Sequence, residues 1–204
     1  MREKNSRETI LKCAMELFSG KGYEAVSPNE IAEKAGITKP TLYYFFGSKE
    51  GLFEELLRIN YGELDSMLVE ACKHDLSSKS CHSDINGLLL RIVNTFFGFA
   101  KANTAFYLMI LAISFSPPLS KTAIVSEKYH KNHYVLLEGV FCGISLVHTG
   151  QQGRELVNAA HFIAMINARI GFWSRGYGSL DDEAAQSIVA GLMYGIFSGF
   201  DGVE

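Results

Sequence analysis

A short segment of the chain, residues 27–49, concentrates side chains that can bind the phosphate groups and base edges of DNA. Its hydroxyl, phenol and ammonium groups belong to Ser27, Thr38, Lys39, Thr41, Tyr43, Tyr44 and Lys49. Such groups donate hydrogen bonds to phosphate oxygens, and lysine and threonine also recognise guanine and thymine in the major groove. The segment therefore indicates that the chain binds nucleic acid.

Two short helices are expected to hold these side chains in place. The run Ser27-Pro28-Asn29-Glu30 begins the first helix, since it has a serine N-cap, a proline at the first position and a glutamate at the third. Gly36 allows the chain to turn, and Thr38 caps the second helix. The side chains expected to pack the two helices together are Ile31, Ala32, Ala35, Ile37 and Leu42. Short helices joined in this way, at residues 28–35 and 39–46, predict a helix-turn-helix, whose second helix enters the major groove.

The rest of the chain has the apolar spacing of amphipathic helices, and the whole sequence contains only four prolines. The expected helices span residues 5–19, 48–73, 84–101, 104–115, 120–141, 154–174 and 181–200, with a polar loop at 75–83. The sequence therefore predicts an all-α fold of about nine helices. A three-helix helix-turn-helix head is expected at residues 1–48, and a larger helical domain at residues 49–204.

The charge distribution suits a DNA-binding head on a body that does not bind DNA. Residues 1–49 hold eight Lys and Arg against six Glu, which is a balance of +2, whereas the whole chain has a net charge of −3. The remainder therefore has a balance of −5. A protein that coats DNA without sequence preference is expected to be far more basic, so the distribution argues against that class.

The cysteines and the apolar segments predict a cytoplasmic protein. The four cysteines are scattered without a C-x-x-C pair, which is typical of a reducing compartment. Charged residues throughout the first twenty positions are unlike a signal peptide. The most apolar stretch, Phe106 to Phe115, is about half as long as a membrane-spanning helix needs to be. We expect no membrane association.

The run from Ser27 to Leu52 resembles the DNA-binding signature of the TetR (tetracycline-repressor) family of regulators. The motifs at family spacing are Ile31-Ala32-x-x-Ala35-Gly36-Ile37, Leu42-Tyr43-x-x-Phe46 and Lys49-x-x-Leu52, preceded by Ala14-x-x-Leu17-Phe18 and Gly20-x-Gly22-Tyr23. The resemblance covers residues 7–57 closely, and beyond them only the helix count and length agree. Pro40 replaces a common glycine and Tyr44 a common histidine.

The resemblance implies a role in DNA binding for individual residues. Ser27 and Thr38, at helix starts, would bind phosphate oxygens, as would Tyr43 and Lys49. The candidates for base contacts are Lys39, Thr41 and Tyr44, with Pro40 in the same helical turn. We expect Lys39→Ala to relax sequence preference and Lys49→Ala to weaken binding to all sequences alike.

The resemblance also implies a ligand pocket in the larger domain for a small apolar or aromatic effector that releases a repressor from its operator. The candidate pocket residues are Asn94, Phe97, Phe106, Tyr107, Met109, Tyr129, His130 and His133. Many of these aromatic side chains suit an ordinary core equally well. His130 and His133 share a helix face, but a polar face is favoured over a metal site because no third ligand accompanies them. His161 is expected to be a core histidine, and neither a metal nor a cofactor is predicted.

The last expected helix carries small residues every four positions, at Ser187, Gly191, Gly195 and Gly199, beside an apolar ridge. Such a stripe allows another helix to approach closely. The resemblance places it in a homodimer interface formed by Ile188, Gly191, Leu192, Gly195, Ile196 and Gly199. Close packing within one subunit is the alternative. A dimer would read a palindromic or near-palindromic double-stranded operator.

An enzyme is the main rival class. The sequence has no Ser-His-Asp order, glycine-rich phosphate loop or pair of carboxylates suited to a cleft. A ligand-responsive regulator of transcription is therefore the prediction, and the direction of its response is not fixed by the sequence.

Overall fold

The computed structural model describes residues 2–73, 82–147 and 152–194, which form nine α-helices and no strand. The helices are α1 (Arg2–Lys21), α2 (Pro28–Lys34), α3 (Lys39–Phe46), α4 (Lys49–Ala71), α5 (His82–Ala102), α6 (Thr104–Ser114), α7 (Lys121–Val147), α8 (Glu155–Ser174) and α9 (Asp182–Tyr194). The predicted all-α fold with a helix-turn-helix head is confirmed. Helix α7 is longer than the sequence predicted, because Gly143 continues the helix.

Two compact units divide the helices between them. The first contains α1 to α3, α6 and the adjoining parts of α4 and α7, at residues 1–63 and 103–129. The second contains α5, α8, α9 and the remaining parts of α4 and α7. The predicted division at residues 48 and 49 concerns function and stays a prediction.

An aromatic cluster fixes the core of the first unit. Phe18 of α1 lies 5.3 Å from Tyr23 and 5.8 Å from Phe53 of α4, measured between ring centroids. The Tyr23 and Phe53 rings are 4.9 Å apart. All three side chains are buried, so they hold α1, the segment that follows it and α4 together.

An ion-pair network on the same unit links α1 to α4. Arg7 of α1 pairs with Glu55 of α4, and Arg58 donates to both Glu55 oxygens, with Nε at 2.7 Å and the terminal nitrogen at 2.8 Å. The hydrogen bond from Arg58, together with Arg7, lowers the pKa of Glu55 to about 2 against an opposing contribution from burial. Glu55 therefore stays ionised throughout the physiological range.

Acid is expected to remove the stabilisation that Glu55 provides. Because its pKa is lower in the folded than in the unfolded chain, the stabilisation is present above about pH 4.5. It should be lost as the pH falls towards 2. We expect wild type to have a higher unfolding temperature than Glu55→Gln at pH 7, and the gap to close on acidification. A gap that is constant from pH 7 to pH 2.5 would contradict this assignment.

The second unit is built on α5, α8 and α9, which pack against one another. Its core includes Phe97, Phe162 and Ile166, each almost fully buried. Within the described ranges, no single helix is long and apolar enough to cross a membrane, and α5 with α6 meets those criteria only as a bent pair.

Candidate nucleic-acid interface

Helix α2 begins and ends as its sequence predicts. Ser27 is the N-cap, with its Oγ accepting a hydrogen bond of 3.2 Å from the Glu30 amide. Gly36 has φ +65°, a left-handed conformation that glycine adopts without strain. The Ile37 amide then donates to the Ala32 carbonyl at 3.0 Å, which closes the turn between α2 and α3.

Helix α3 is capped by Thr38, whose Oγ1 accepts from the Thr41 amide at 3.4 Å and lies 2.9 Å from the Thr41 hydroxyl. Leu42 is completely buried and fixes one face of the helix to the core. These contacts hold α3 in one orientation, because both its start and its inner face are fixed.

The outer face of α3 is polar and open. Lys39 and Pro40 are exposed, Tyr43 is 38% exposed, and Tyr44 is 77% exposed. The Lys39 ammonium lies 5.7 Å from the centre of the Tyr43 ring, which is within cation–π range. The face thus presents one cation, two phenols and the hydroxyl of Thr38 to a ligand that approaches from solvent. All the residues of α3 that the sequence analysis proposed for DNA contact lie on this one short helix, and their contacts with DNA stay predictions.

Lys49 lies apart from that face and turns inwards. Its Nζ donates to the carbonyl oxygens of Tyr23 at 2.9 Å and Val26 at 3.0 Å, and lies 4.1 Å from the centre of the Tyr23 ring. Burial raises the pKa of Tyr23 to about 12, with Glu50 and Glu24 adding to the shift, so the ring is a neutral phenol. The expected phosphate contact of Lys49 stays a prediction, and its carbonyl contacts had no signal in the sequence.

The junction between α3 and α4 is unusually close. Gly47 has φ +72°, and the Ser48 amide donates to the Phe46 carbonyl at 2.8 Å. In the first turn of α4, the Gly51 amide donates to Ser48 Oγ at 2.9 Å. A Cβ atom on Gly51 would overlap the Phe46 carbonyl oxygen, so only glycine lets α4 start against the end of α3.

Comparison with known proteins assigns this head to a family. The family model described as bacterial regulatory proteins, tetR family, matches residues 10–56, which contain α2, α3 and the junction with α4. Over these residues the head of the chain matches the TetR family. The matched residues are the part of the chain whose geometry has just been described.

Relatives named as HTH-type regulators of transcription match part of the chain. The uncharacterised HTH-type transcriptional regulator YdgC of Bacillus subtilis is 44% identical over 52 residues, 26% of this chain and 27% of YdgC. The HTH-type transcriptional repressor BdcR of Escherichia coli is 36% identical over 74 residues, 36% of this chain and 38% of BdcR. The chain thus aligns with well under half the length of these relatives. Both are named as regulators of transcription and neither as an enzyme.

Similarity of fold extends further along the chain than similarity of sequence. The transcriptional regulator FadR from Bacillus subtilis, solved in complex with stearoyl-CoA, superposes with a TM-score of 0.73 at 17% identity. The superposition covers 93% of this chain and 98% of that chain. The similarity of fold therefore extends over residues of both units.

The predicted effector residues of the first unit are packed in its core. Phe106 and Tyr107 are buried, and Tyr129 stacks on Tyr61 at 5.5 Å between ring centroids. The Phe106 ring meets the Tyr61 ring in an edge-to-face arrangement, with 5.4 Å between the ring centroids. Met109 lines a cavity that has a volume of about 480 Å³ and extends to the end of α1.

The predicted effector residues of the second unit lie in several surroundings. Phe97 is buried, whereas Asn94 lines a shallow groove between α4 and α5 and lies 3.5 Å from an Asp182 oxygen. His133 is buried, with Nε2 2.8 Å from Asp65 Oδ1, and burial together with His133 lowers the pKa of His130. Among the described residues, no three His, Cys, Asp or Glu side chains are grouped as a metal site would require.

The predicted dimer residues fall partly outside the described structure. Gly195, Ile196 and Gly199 lie beyond the described residues, which end at 194. Ile188 is buried within the chain, Leu192 is half-buried, and a Cβ on Gly191 would lie 3.1 Å from the Met165 methyl of α8. The close packing of Gly191 within one subunit, which the sequence left open, is therefore present. Its role in a dimer stays a prediction.

A feature that sequence reasoning missed is the outer face of α8. The exposed residues of this helix are Leu156, Val157, His161, Ala164, Ala168, Phe172 and Ser174. None of them is Asp, Glu, Lys or Arg, although solvent-facing helix sides are ordinarily charged. His161 was expected in the core, and that expectation is wrong. It follows Val157 by four residues on the outer side of the helix, where its imidazole is exposed.

Proposed function

We propose that this protein is a ligand-responsive, sequence-specific DNA-binding regulator of transcription, and that it acts as a repressor released from its operator by a small apolar or aromatic effector. The observation that carries the proposal is the open polar face of α3, held in one orientation by the Thr38 cap and buried Leu42. A rigid helix of this kind can enter the major groove without refolding. The protein is proposed to act in the cytoplasm, where it would bind its operator DNA.

Each exposed residue on α3 has a distinct proposed contact. Lys39 and Tyr44 approach base edges together with Thr41 and Pro40, because they occupy the first turns of the helix that faces the groove. Tyr43 and the capping residues Thr38 and Ser27 contact phosphates, since helix N-termini and hydroxyl groups donate to anionic oxygens.

Selection from random-sequence duplexes tests the proposal directly. Purified full-length protein should enrich a palindromic or near-palindromic site, and the enriched site should bind roughly 10³-fold or more tightly than scrambled DNA. Equal binding to all duplexes would favour a DNA-coating protein instead. The proposal is overturned if the protein binds no duplex, whether or not metabolites from a cell extract are added.

Lys39→Ala is expected to relax sequence preference. Loss of a base contact should weaken binding to the enriched site by about 1–3 kcal/mol while leaving binding to scrambled DNA nearly unchanged. Titrations of wild type and variant against both duplexes at fixed salt measure the difference. Lys12→Ala, which removes an exposed cation from α1, serves as the control. Equal losses on both DNAs would contradict a base-reading role for Lys39.

A homodimer is proposed because two half-sites of a palindrome are read by two heads. The uncharged outer face of α8, including Ala164, Ala168 and Phe172, supports this assembly. Small and apolar residues allow a helix of a second copy to approach closely, and a partner would remove them from water. Helix α9, with the predicted residues up to Gly199, is proposed to complete the interface.

The effector is proposed to bind in the larger helical domain. Stearoyl-CoA, the ligand of the FadR complex, is one probe of the apolar class, and benzoate is a simple aromatic one. Native mass spectrometry of purified protein would reveal a co-purified passenger. A compound that binds should lower operator affinity, because DNA binding and effector binding are reciprocally coupled. A bound compound that leaves operator affinity unchanged would refute the proposed release.

A further inference from the structure

Lys49 lies at the point where three elements of the head meet. The segment from Gly22 to Ser27 joins α1 to α2, and Lys49 is the first residue of α4. Lys49 reaches into this segment and donates to two of its carbonyl oxygens, at 2.9 Å and 3.0 Å. The side chain that begins α4 thereby holds the backbone that precedes α2.

The surroundings of the ammonium group leave it little freedom. A lysine ammonium has three donors, and two of them are used by the carbonyls of Tyr23 and Val26. The face of the buried Tyr23 ring lies 4.1 Å away, which adds a cation–π contact. These contacts commit most of the hydrogen-bonding capacity of the ammonium to the backbone of this segment.

A second side chain of α4 holds the same segment. Phe53 follows Lys49 by four residues and therefore lies on the same side of the helix. Its ring is 4.9 Å from the Tyr23 ring, while the ammonium of Lys49 lies over that ring. Tyr23 is thus fixed by α4 through both contacts. The Val26 amide also donates to the Tyr23 carbonyl, at 3.4 Å, so the turn leading to the Ser27 cap is tied to this point.

We infer that Lys49 is a positioning residue of the DNA-binding head, which anchors the segment between α1 and α2 to α4 and so sets the orientation of the helix-turn-helix, rather than a ligand of a DNA phosphate. The inference rests on the proposed function, because it concerns how the head presents α3 to an operator. It assigns the loss of binding in a Lys49 variant to misorientation of α2 and α3.

The salt dependence of operator binding separates the two roles. Each phosphate neutralised by a cation contributes about 0.9 to the slope of log affinity against log salt. Lys49→Met removes the charge and the donors but keeps most of the aliphatic stem. We expect it to weaken operator binding roughly 10- to 100-fold, as expected for loss of charged hydrogen bonds, with the slope of wild type. A slope smaller by about 0.9, with equal losses on operator and scrambled DNA, would overturn the inference.

Lys49→Arg provides a second test in case the methionine variant does not fold. A guanidinium binds phosphate at least as well as an ammonium, so a phosphate ligand would keep full affinity. The planar guanidinium fits the two converging carbonyls less well, so a positioning residue should lose operator affinity several-fold. Full retention of affinity in Lys49→Arg would overturn the inference. Lys12→Met, on the exposed side of α1, is the control for removal of one charge.

Amide hydrogen exchange gives a readout that does not depend on DNA. If Lys49 anchors the segment, the Val26 amide should exchange at least tenfold faster in Lys49→Met than in Lys12→Met, at a temperature where both remain folded. Unchanged exchange would refute the anchoring role. If wild type selects no DNA sequence, the proposed function fails, and the exchange rates alone then decide whether Lys49 positions this segment.

Discussion

Gly51→Ala is expected to cost the protein its specific DNA binding while leaving the second unit folded. The added Cβ would overlap the carbonyl oxygen of Phe46, which is a backbone atom and cannot move aside alone. The end of α3 must then shift away from α4, and overpacking of this kind costs about 1–3 kcal/mol of stability. Because α3 carries the base contacts, operator affinity should fall by roughly 10²-fold or more, towards the affinity for scrambled DNA.

Gly62→Ala is the matched control, since Gly62 lies in the same helix and an added Cβ there meets no atom within 4 Å. Alanine is a better helix former than glycine by about 1 kcal/mol, so this variant should be at least as stable as wild type and bind the operator equally well. Circular dichroism melts and operator titrations compare the two variants. Wild-type operator affinity in Gly51→Ala would show that the close junction does not position α3.

Ala168→Arg is expected to convert the protein into monomers. Ala168 is exposed at the middle of the uncharged face of α8, and an arginine there would carry an unpaired charge into the proposed interface. A monomer binds only one half-site, so operator affinity should fall by roughly 10²- to 10⁴-fold, the gain that linked binding ordinarily provides. Sedimentation velocity and operator titration at the same protein concentration measure both effects.

Ala102→Arg is the control for this substitution. Ala102 is an exposed alanine at the end of α5, in the same unit, so the change in charge and volume is identical. This variant should sediment as a dimer and bind as wild type does. If Ala168→Arg also remains dimeric, the outer face of α8 does not form the interface. The residues predicted on α9 would then be tested next.

Much of the head could be predicted because its signals are local. These signals are the serine and threonine caps, the proline in the first turn and the glycine turn. Each acts within four residues, so its effect can be predicted from the sequence. Leu42 and Ile31 follow the helical period and are buried as that period requires. The open face of α3, with Lys39 and Tyr44, follows from the same periodicity.

The features that could not be predicted depend on neighbours distant in sequence. Lys49 is separated from Tyr23 by 26 positions, so its hydrogen bond to the Tyr23 carbonyl has no local signature. In the sequence, Gly51 indicates only a residue of low helix propensity. Its role at the junction is apparent only in the structure, where the Phe46 carbonyl oxygen lies beside it. His161 was misjudged because apolar neighbours on α8 resemble a core pattern, although that side of the helix is exposed.

The residues predicted to line an effector pocket could not be assigned from the sequence for a different reason. Bulky aromatic residues are compatible with both a cavity wall and a packed core, because both require large apolar side chains. Phe106 and Tyr129 both pack against Tyr61 in the first unit, so there they fill space. Composition alone cannot distinguish these arrangements, since the difference lies in the packing of helices around each ring.

Helix α3 has only eight residues, a length at which an isolated peptide in water is mostly unfolded. A synthetic copy of the segment would therefore present its side chains as a changing ensemble and is expected to recognise no base sequence. To exchange operator preference between relatives, a longer segment would have to be transferred, from the residues before Ser27 through Gly51. The transferred helix would then keep the residues that hold it in place. If only the outward side chains of α3 are transferred to another head, we expect the exchange to succeed where the residues that hold the helix in place are already the same.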